Sequence, residues 1–162
     1  MTGGAEPSRD PEALLAEEAS LALPSLDESD AIAIGRLLLA RAEARALAVT
    51  IEVRRVGRVV FRAALPGTSP DNDVWIAGKA ATVERFGHST WYLRHQYLAQ
   101  GTTFEAATGL QRPAYVAHGG GYPLAVRGTG VVGAALVSGL PQEQDHALIV
   151  EVLTAYLAGE RG

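Results

Sequence analysis

The chain has no cysteine among its 162 residues. Disulfide bonds, thiolate nucleophiles, zinc–thiolate sites, iron–sulfur clusters and cofactors attached through thioether bonds are therefore excluded, because each of them needs cysteine sulfur. Lysine is nearly absent as well. Almost all of the positive charge is carried by arginine, which we interpret as compositional bias.

Long apolar runs and basic clusters are also missing. The longest apolar run, Val131 to Val137, is far too short to cross a bilayer, and residues 1–10 contain no apolar segment typical of a secretory signal. We therefore expect a cytoplasmic protein with no membrane partner. The net charge is −4, from 14 basic and 18 acidic side chains, and no basic stripe is present to neutralise phosphates. We therefore expect no nucleic-acid partner either.

The composition is that of a soluble globular protein. Apolar residues make up 48% of the chain and charged residues 20%, which is enough for one proper core, and 162 residues are few for two domains. We divide the chain into two parts. Residues 1–24 comprise a disordered tail over residues 1–10 and a short amphipathic helical arm over residues 11–23, and residues 25–160 form a single domain.

Local patterns place the first long helix and the first strands. Ser25 and Glu28 form an S-x-x-E capping box, which predicts a helix that runs to about Leu47. Strict alternation of apolar and polar residues over 49–54 and again over 58–65 predicts an antiparallel hairpin with one face on the core.

A second helical region follows the hairpin. Ser69 with Pro70 directly after it predicts a helix start, because proline fits the first helical position. We expect this helix to run to Phe86. Gly87 interrupts it, and a further helix is predicted over residues 88–100.

The last third of the chain predicts a second hairpin and a final helix. Residues 101–121 are expected to be mostly irregular, and strands are expected over 122–126 and 131–137. The second of these strands is continuously apolar, which is typical of a central strand covered on both faces. The final helix starts at Pro141. This order predicts an α+β fold with an antiparallel sheet of four or five strands flanked by helices, and it argues against a Rossmann fold.

Four histidines are the candidates for metal or haem ligation and for acid–base chemistry: His88, His95, His118 and His146. A structural, hydrogen-bonded role is the common alternative for each. On one helix, His88 and His95 would lie about 10 Å apart at roughly 1.5 Å per residue. A single ion about 2 Å from each nitrogen cannot bridge that distance. No H-x-x-x-H pair exists, so a zinc site has little support, and any metal site would need His118 or His146.

His118 is the strongest of these candidates. It precedes the run Gly119-Gly120-Gly121, where no side chain keeps a ligand away from the backbone. The alternative is a glycine-rich turn into an edge strand. His146 follows Asp145 near a predicted helix start, which could bind a carboxylate or serve only capping and packing.

Hydrolase and kinase motifs are missing from the sequence. There is no G-x-S-x-G elbow and no phosphate-binding P-loop, and Ser138 stands at a predicted strand end without an obvious base. Asp71 and Asp73 are better explained as acids in the first turn of a helix than as a catalytic acid and base.

Five sequence runs together resemble a known family. They are G-T-S-P-D-N-D at 67–73, R-F-G-H-S at 85–89, G-T-T-F at 101–104, H-G-G-G-Y-P at 118–123 and V-S-G-L-P-Q-E-Q-D-H at 137–146. In this order they resemble the haem-degrading-domain family, and within it the cytosolic branch related to the GlcG and HbpS proteins. The resemblance covers roughly residues 25–158, nearly the whole chain.

The resemblance implies a profilin-like or PAS-like α/β/α sandwich that assembles as a homo-oligomer built from dimers. It also implies non-covalent haem binding, which is a property of some members. The recurring family features are a glycine pair before a proline and a V-S-G corner followed by an aspartate: Gly120, Gly121, Pro123, Ser138, Gly139 and Asp145. The histidines that belong to the motifs of this branch, and are therefore candidate site residues, are His88, His118 and His146.

The first functional hypothesis is a cytoplasmic protein that binds haem or another tetrapyrrole, with haem degradation as the activity that the family name suggests. His118 or His88 would be the iron ligand, and Arg85 would pair with a propionate. The other candidate cofactor-binding residues form apolar walls, the glycine run and the last helix start: Trp75, Phe86, Tyr122, Gly119, Gly120, His146 and Asp145.

Two alternative functions belong to other classes. The first is a binding module for a small organic acid, with backbone donors from residues 119–121 and from the helix start at Pro141. The second is a non-catalytic oligomeric scaffold whose apolar arm binds a partner helix. The sequence leaves open the ligand, the question of catalysis and the choice of histidines that share a cavity.

Overall fold

In the computed structural model, a four-stranded antiparallel sheet lies between two layers of helices. The structure describes residue 6 and residues 8–162, so residues 1–5 and 7 of the predicted tail lie outside the described part. The architecture confirms the predicted α+β sandwich. Within the described residues the sheet has four strands, the smaller of the two predicted numbers.

Two antiparallel hairpins lie side by side in the sheet. Its strands are β1 (Thr50–Arg55), β2 (Arg58–Ala64), β3 (Gly121–Val126) and β4 (Gly130–Ser138). Their order across the sheet is β2-β1-β4-β3, so the two hairpins meet through β1 and β4. The predicted central position of the continuously apolar strand β4 is therefore confirmed.

Helices cover both faces of the sheet. Those of the described residues are α1 (Pro11–Ser20), α2 (Glu28–Ala44), α3 (Pro70–Phe86), α4 (Thr90–Ala99), α5 (Phe104–Thr108) and α6 (Gln142–Leu157). The pair α2 and α6 packs on one face, and α3 covers the other. None of these helices combines the length and the apolar character needed to span a bilayer.

The alternation along the strands decides which layer each side chain faces. Ile51 on β1 lies opposite Val137 on β4, and both point into the large core under α2 and α6. Leu136, the next residue along β4, points to the other face and packs against Ala80 of α3. All four side chains are fully buried. Burial of an aliphatic side chain of this size contributes about 1.5–3 kcal/mol, so both faces of the central strands stabilise the fold.

The start of α2 differs from the predicted capping box. Asp27, not Ser25, is the N-cap: its carboxylate accepts from the Asp30 N–H at 2.8 Å, and the Asp30 carboxylate accepts from the Asp27 N–H at 2.9 Å. The prediction from Ser25 and Glu28 was therefore wrong. An aspartate caps as well as a serine, and the second aspartate completes a reciprocal box two residues further along the chain. The helix also ends at Ala44, earlier than predicted.

The predictions for α3 are confirmed at both ends. Ser69 is the N-cap and its N–H donates to the Asn72 side chain at 2.9 Å, with Pro70 in the first position. Gly87 ends the helix in a left-handed conformation with φ of 70°. The region 101–121 contains one helix that was not predicted, the short α5. Thr103 caps it by accepting from the Ala106 N–H at 3.1 Å.

The N-terminal arm (residues 9–20) carries α1 across the outside of the domain. The arm packs on α4, and Arg9 pairs with Glu143 of α6 at 2.6 Å. Asp10 caps α1 by accepting from the Glu12 N–H at 3.0 Å. The helix begins at Pro11 as predicted for the arm, and it ends at Ser20, before the predicted end at residue 23. The chain then runs along the outer edge of β3, where Leu23 bonds through its backbone.

Candidate functional site

A cleft of about 320 Å³ opens where three parts of the fold meet: the first turns of α3, the loop before β3 and the corner between β4 and α6. We call it the polar cleft. The side chains that give it its chemistry are Asn72, Trp75, Lys79, His118, Ser138 and Asp145. Its volume is at the lower end of the range for small-molecule sites, which is about 300–1,000 Å³.

A second cleft of about 320 Å³ lies beside the first, and Asp71 and Trp75 line both of them. We call it the apolar cleft. Val74 and Val116 form much of its wall, and Arg112 is its only lining cation among the described residues. The Arg112 guanidinium lies 6.0 Å from the centre of the Trp75 ring. The two clefts together offer an apolar surface beside a group of convergent polar side chains.

His118 stands at the wall of the polar cleft as an uncharged imidazole. Its ring meets the Trp75 ring edge-on, with 5.1 Å between the centroids. Burial lowers the pKa of His118 to about 4, and the neighbouring cations Arg94, Arg112 and Lys79 act in the same direction. No hydrogen bond to the ring is formed by any described residue. A ring nitrogen of His118 is therefore free to bind a ligand at neutral pH.

The glycines after His118 bring the loop against α6 and β4. A Cβ at Gly119 would lie 2.2 Å from the Gln142 carbonyl oxygen, and one at Gly120 would lie 2.3 Å from the Val137 carbonyl oxygen. Gly120 also has φ of +118°, a conformation open to glycine. Both residues are buried. The space that the missing side chains leave is therefore occupied by the protein's own atoms.

Lys79 and Asp145 form a buried ion pair at the base of the polar cleft. Nζ of Lys79 donates to the Val137 carbonyl oxygen at 2.9 Å and to Oδ2 of Asp145 at 3.3 Å, and Oδ1 of Asp145 accepts from the Leu140 N–H at 3.0 Å. Both side chains are 3% exposed. Burial raises the pKa of Asp145 to about 6 and lowers the pKa of Lys79. Lys79 was not among the predicted site residues, although a single lysine in an arginine-rich chain was a signal.

Two other predicted residues meet under the N-terminal arm. Nε2 of His146 lies 2.8 Å from Oε1 of Glu17, and the Tyr122 hydroxyl donates to the same oxygen at 3.4 Å. The His146 and Tyr122 ring centroids are 5.5 Å apart. Burial raises the pKa of Tyr122, and the Glu17 carboxylate acts in the same direction. These two side chains are part of the contact between the arm and the domain.

His88 contacts the arm at a different point. Its Nδ1 lies 2.8 Å from Oε2 of Glu18, and the other Glu18 oxygen accepts from the Ser89 N–H at 2.7 Å. Glu18 thus links the arm to the start of α4, where Ser89 is the N-cap.

Arg85 and Phe86 lie at the end of α3, in a third environment. The Arg85 guanidinium lies 5.3 Å from the centre of the Tyr115 ring and 5.8 Å from that of Phe86. Phe86 packs edge-on against Phe104 of α5. Phe86 and Phe104 belong to the small apolar cluster around α4 and α5.

The structure thus divides the predicted site residues among several places. The polar cleft brings together three of them, Trp75, His118 and Asp145. Gly119 and Gly120 follow His118 in the chain but are buried against α6 and β4. Tyr122, His146 and His88 contact the arm, and the remaining two lie at the end of α3. The two alternative iron ligands, His118 and His88, are in different environments. In the described part of the chain, no group of three or more His, Asp or Glu side chains is placed to hold a metal ion.

Comparison with known proteins places the chain in a family. The family model described as "Haem degrading protein HbpS-like" matches residues 26–154. A UPF0303 protein of Streptomyces avermitilis is 47% identical over 157 residues, covering 97% of this chain and 96% of the relative. A UPF0303 protein of Azotobacter vinelandii is 41% identical over 149 residues, covering 92% and 90%.

Solved structures share the fold. The Ybr137w protein has a TM-score of 0.83 at 29% identity, covering 92% of this chain and 88% of that one. A PduOC–haem complex has a TM-score of 0.68 at 21% identity, covering 81% and 94%, and HbpS has 0.63 at 22% identity, covering 82% and 89%. The predicted family resemblance is confirmed: this chain belongs to the HbpS-like family.

Proposed function

We propose that this protein is a cytoplasmic, non-covalent binder of haem or a related tetrapyrrole, and that His118 supplies the iron ligand. The observation that carries the proposal is the state of the His118 ring. It is uncharged at neutral pH, it borders a cleft, and no described residue occupies its nitrogens. Neutral imidazole is a common protein ligand of haem iron.

The apolar cleft next to the polar cleft offers apolar surface for part of a haem macrocycle. The macrocycle is broad and apolar, and the walls offered here are Trp75, Val116 and the side chain of Val74, which is 45% exposed. Arg112 lines the same cleft, where its guanidinium could pair with a haem propionate. Arg85 was the sequence-based choice for this role. It packs instead on Tyr115 and Phe86, so Arg112 is the better candidate.

The comparisons support a haem-related ligand. The family model carries haem in its description, and one structural neighbour is itself a complex with haem. We also propose that the protein assembles as a homo-oligomer built from dimers. Sedimentation of the protein with and without hemin tests that part separately from binding.

Hemin titration of the purified protein tests the ligand and the residue together. We expect a saturable Soret band near one haem per protomer, and we expect His118→Ala to abolish it. His88→Ala and His146→Ala are the matched controls, because each removes a histidine that bonds to the arm instead of facing the cleft. Both controls should keep the band.

Two outcomes would contradict the proposal. Loss of the band in His88→Ala with retention in His118→Ala would move the iron site to the arm. Absorbance that does not saturate and is insensitive to all three variants would mean that hemin only adsorbs to apolar surface. The organic-acid module or the oligomeric scaffold would then be the better interpretation.

Catalysis is tested in the same sample. Addition of a reductant under oxygen should bleach the Soret band if the protein degrades haem. A band that persists under these conditions would make the protein a haem carrier or sensor without turnover. His118→Ala with free hemin gives the background rate of non-enzymatic bleaching.

A further inference from the structure

Lys79 is the only lysine of the chain, and every other cationic side chain among the 14 basic residues is an arginine. Compositional bias accounts for arginine at the surface, where any positive charge serves. It does not account for the one exception, because Lys79 is 2% exposed and lies at the base of the polar cleft. Composition therefore does not explain why this position is a lysine.

The chemical difference between lysine and arginine suggests a reason. An arginine guanidinium stays protonated in proteins, whereas a lysine amine can lose its proton and become a nucleophile. Burial lowers the pKa of Lys79 and raises that of its partner Asp145 to about 6. Both changes favour the neutral amine and the neutral acid over the ion pair.

One hydrogen-bonding position of Nζ is unused by the described residues, and the side chain lines the polar cleft. Two of its hydrogen-bonding positions are used, by the Val137 carbonyl oxygen and by Asp145, and the third has no partner among the described residues. The Ser138 hydroxyl accepts from the Asn72 amide at 3.4 Å and donates to none of the described groups. Lys79, Asn72 and Ser138 line the same cleft.

We propose that Lys79 forms an imine with a small carbonyl compound, an aldehyde or a 2-oxo acid, bound in the polar cleft. Asn72 and Ser138 are placed to bind the oxygen atoms of that compound. His118 lines the same cleft, but the reaction uses no haem and is tested on the haem-free protein, so failure of haem binding would leave it intact.

The reaction balances without an oxidant or a reductant. Nζ of Lys79 gives one proton to Oδ2 of Asp145, and its electron pair forms the C–N bond with the carbonyl carbon. The carbonyl oxygen takes one proton from nitrogen and one from Asp145 and leaves as water. The products are a protonated imine on Lys79, a water molecule and the Asp145 carboxylate.

Reductive trapping tests the proposal, and the composition makes it sharp. The only primary amines of the chain are Lys79 and the amino terminus, so the terminus is an internal standard in every molecule. Haem-free protein is incubated at pH 7 with pyruvate or with acetaldehyde and with cyanoborohydride, and labelled peptides are quantified by mass spectrometry. We expect labelling of Lys79 to saturate with pyruvate or acetaldehyde concentration, while labelling of the terminus rises linearly.

The comparison with unfolded protein keeps the test independent of any variant. The ratio of Lys79 labelling to terminal labelling should be at least tenfold higher in the native protein than in urea. An unperturbed lysine is uncharged in fewer than about one in a thousand molecules at pH 7. A native ratio at or below the urea ratio would overturn the proposal, since Lys79 would then be only a buried structural cation.

Two variants and the two probes refine the result. Lys79→Met should lose the saturable label and keep the terminal one, and persistence of the saturable label would overturn the assignment to Lys79. Ser138→Ala keeps the nucleophile and should raise the half-saturating concentration several-fold. A preference for pyruvate over acetaldehyde would indicate a carboxylate-bearing substrate, and a preference for acetaldehyde would indicate a neutral aldehyde.

Discussion

His118 and the three other histidines occupy opposite kinds of environment. The His118 ring borders a cleft, and no described residue bonds to its nitrogens. Each of the others meets the N-terminal arm: His88 meets Glu18, His146 meets Glu17, and His95 accepts from the Arg9 N–H at 2.9 Å. The same residue type thus borders a cleft in one region and contacts the arm in the other. Hydrogen-bond partners distinguish the two roles, and sequence motifs do not.

The contact with the arm determines the tautomer of His95. Its Nδ1 accepts the Arg9 N–H, so the proton of the neutral ring is on Nε2, which is buried without a partner among the described residues. The Trp91 ring lies edge-on, 4.1 Å from it between centroids. Burial lowers the pKa of His95, in agreement with the neutral form that this hydrogen bond needs. A metal ion could bind Nδ1 only after the Arg9 N–H had moved away.

Substitution of Gly120 should have the largest effect on stability. A Cβ there would lie 2.3 Å from the Val137 carbonyl oxygen and 2.6 Å from Nζ of Lys79, and the backbone has φ of +118°. We expect Gly120→Ala to lower the free energy of unfolding by about 4 kcal/mol, through backbone strain and overpacking together. Urea denaturation followed by circular dichroism measures the change.

The matched control is Gly128→Ala in the turn of the second hairpin. Gly128 also has positive φ, +77°, but no atom lies within 4 Å of its ideal Cβ. Gly128→Ala should therefore lower the free energy of unfolding only through backbone strain, by about 1 kcal/mol. Equal costs for the two variants would show that the loop after His118 has room to spare, against the close packing described above.

The pH dependence of the free energy of unfolding should distinguish His118 from Asp145, because folding shifts their pKa values in opposite directions. The pKa of His118 falls on folding from 6.5 to about 4, so its contribution is fully present above pH 6.5 and is lost as the pH falls towards 4. The pKa of Asp145 rises on folding from 3.8 to about 6, so its contribution is present below pH 4 and is lost as the pH rises towards 6. In the wild type the two contributions oppose each other.

Single variants separate the two contributions to the change of stability with pH. Between pH 4 and 6.5, His118→Gln should lose stability as the pH rises relative to the wild type, and Asp145→Asn should gain it, each by about 2 kcal/mol. The other carboxylates contribute equally to all three proteins, so the comparison between variants is the measured quantity. Parallel pH profiles for the two variants would refute the neutral state of His118 on which the proposed haem ligation depends.

Much of the fold was predictable because its signals are local. The helix start at Ser69 and Pro70 and the strand alternation over 49–54 depend on residues that are adjacent in the chain. The start of α2 was predicted two residues too early because Ser25 and Asp27 both satisfy a capping pattern. Only the three-dimensional position of Asp30 decides between them.

The site was less predictable because it is assembled from distant segments. Trp75, His118 and Asp145 come from α3, from the loop before β3 and from α6, and no spacing rule joins them. Lys79 was not predicted as a site residue, since neither its burial nor its pairing is visible along the chain. The contacts of His88 and His146 with the arm were not predictable either. Glu17 and Glu18 resemble ordinary surface acids of an amphipathic helix until their partners are known.

The smallest expected effect is on the arm, and it tests the contrast between the two regions. Glu17→Gln weakens the contacts to His146 and Tyr122, so we expect a loss of about 1 kcal/mol and faster amide hydrogen exchange throughout α1. Glu12→Gln is the control, because that carboxylate is exposed and has no side-chain partner among the described residues. Neither variant should change the midpoint of the hemin titration, because the arm histidines are not the proposed ligands. A midpoint that shifts several-fold in Glu17→Gln alone would show that the arm and the haem site are coupled, and the separation of roles argued here would fail.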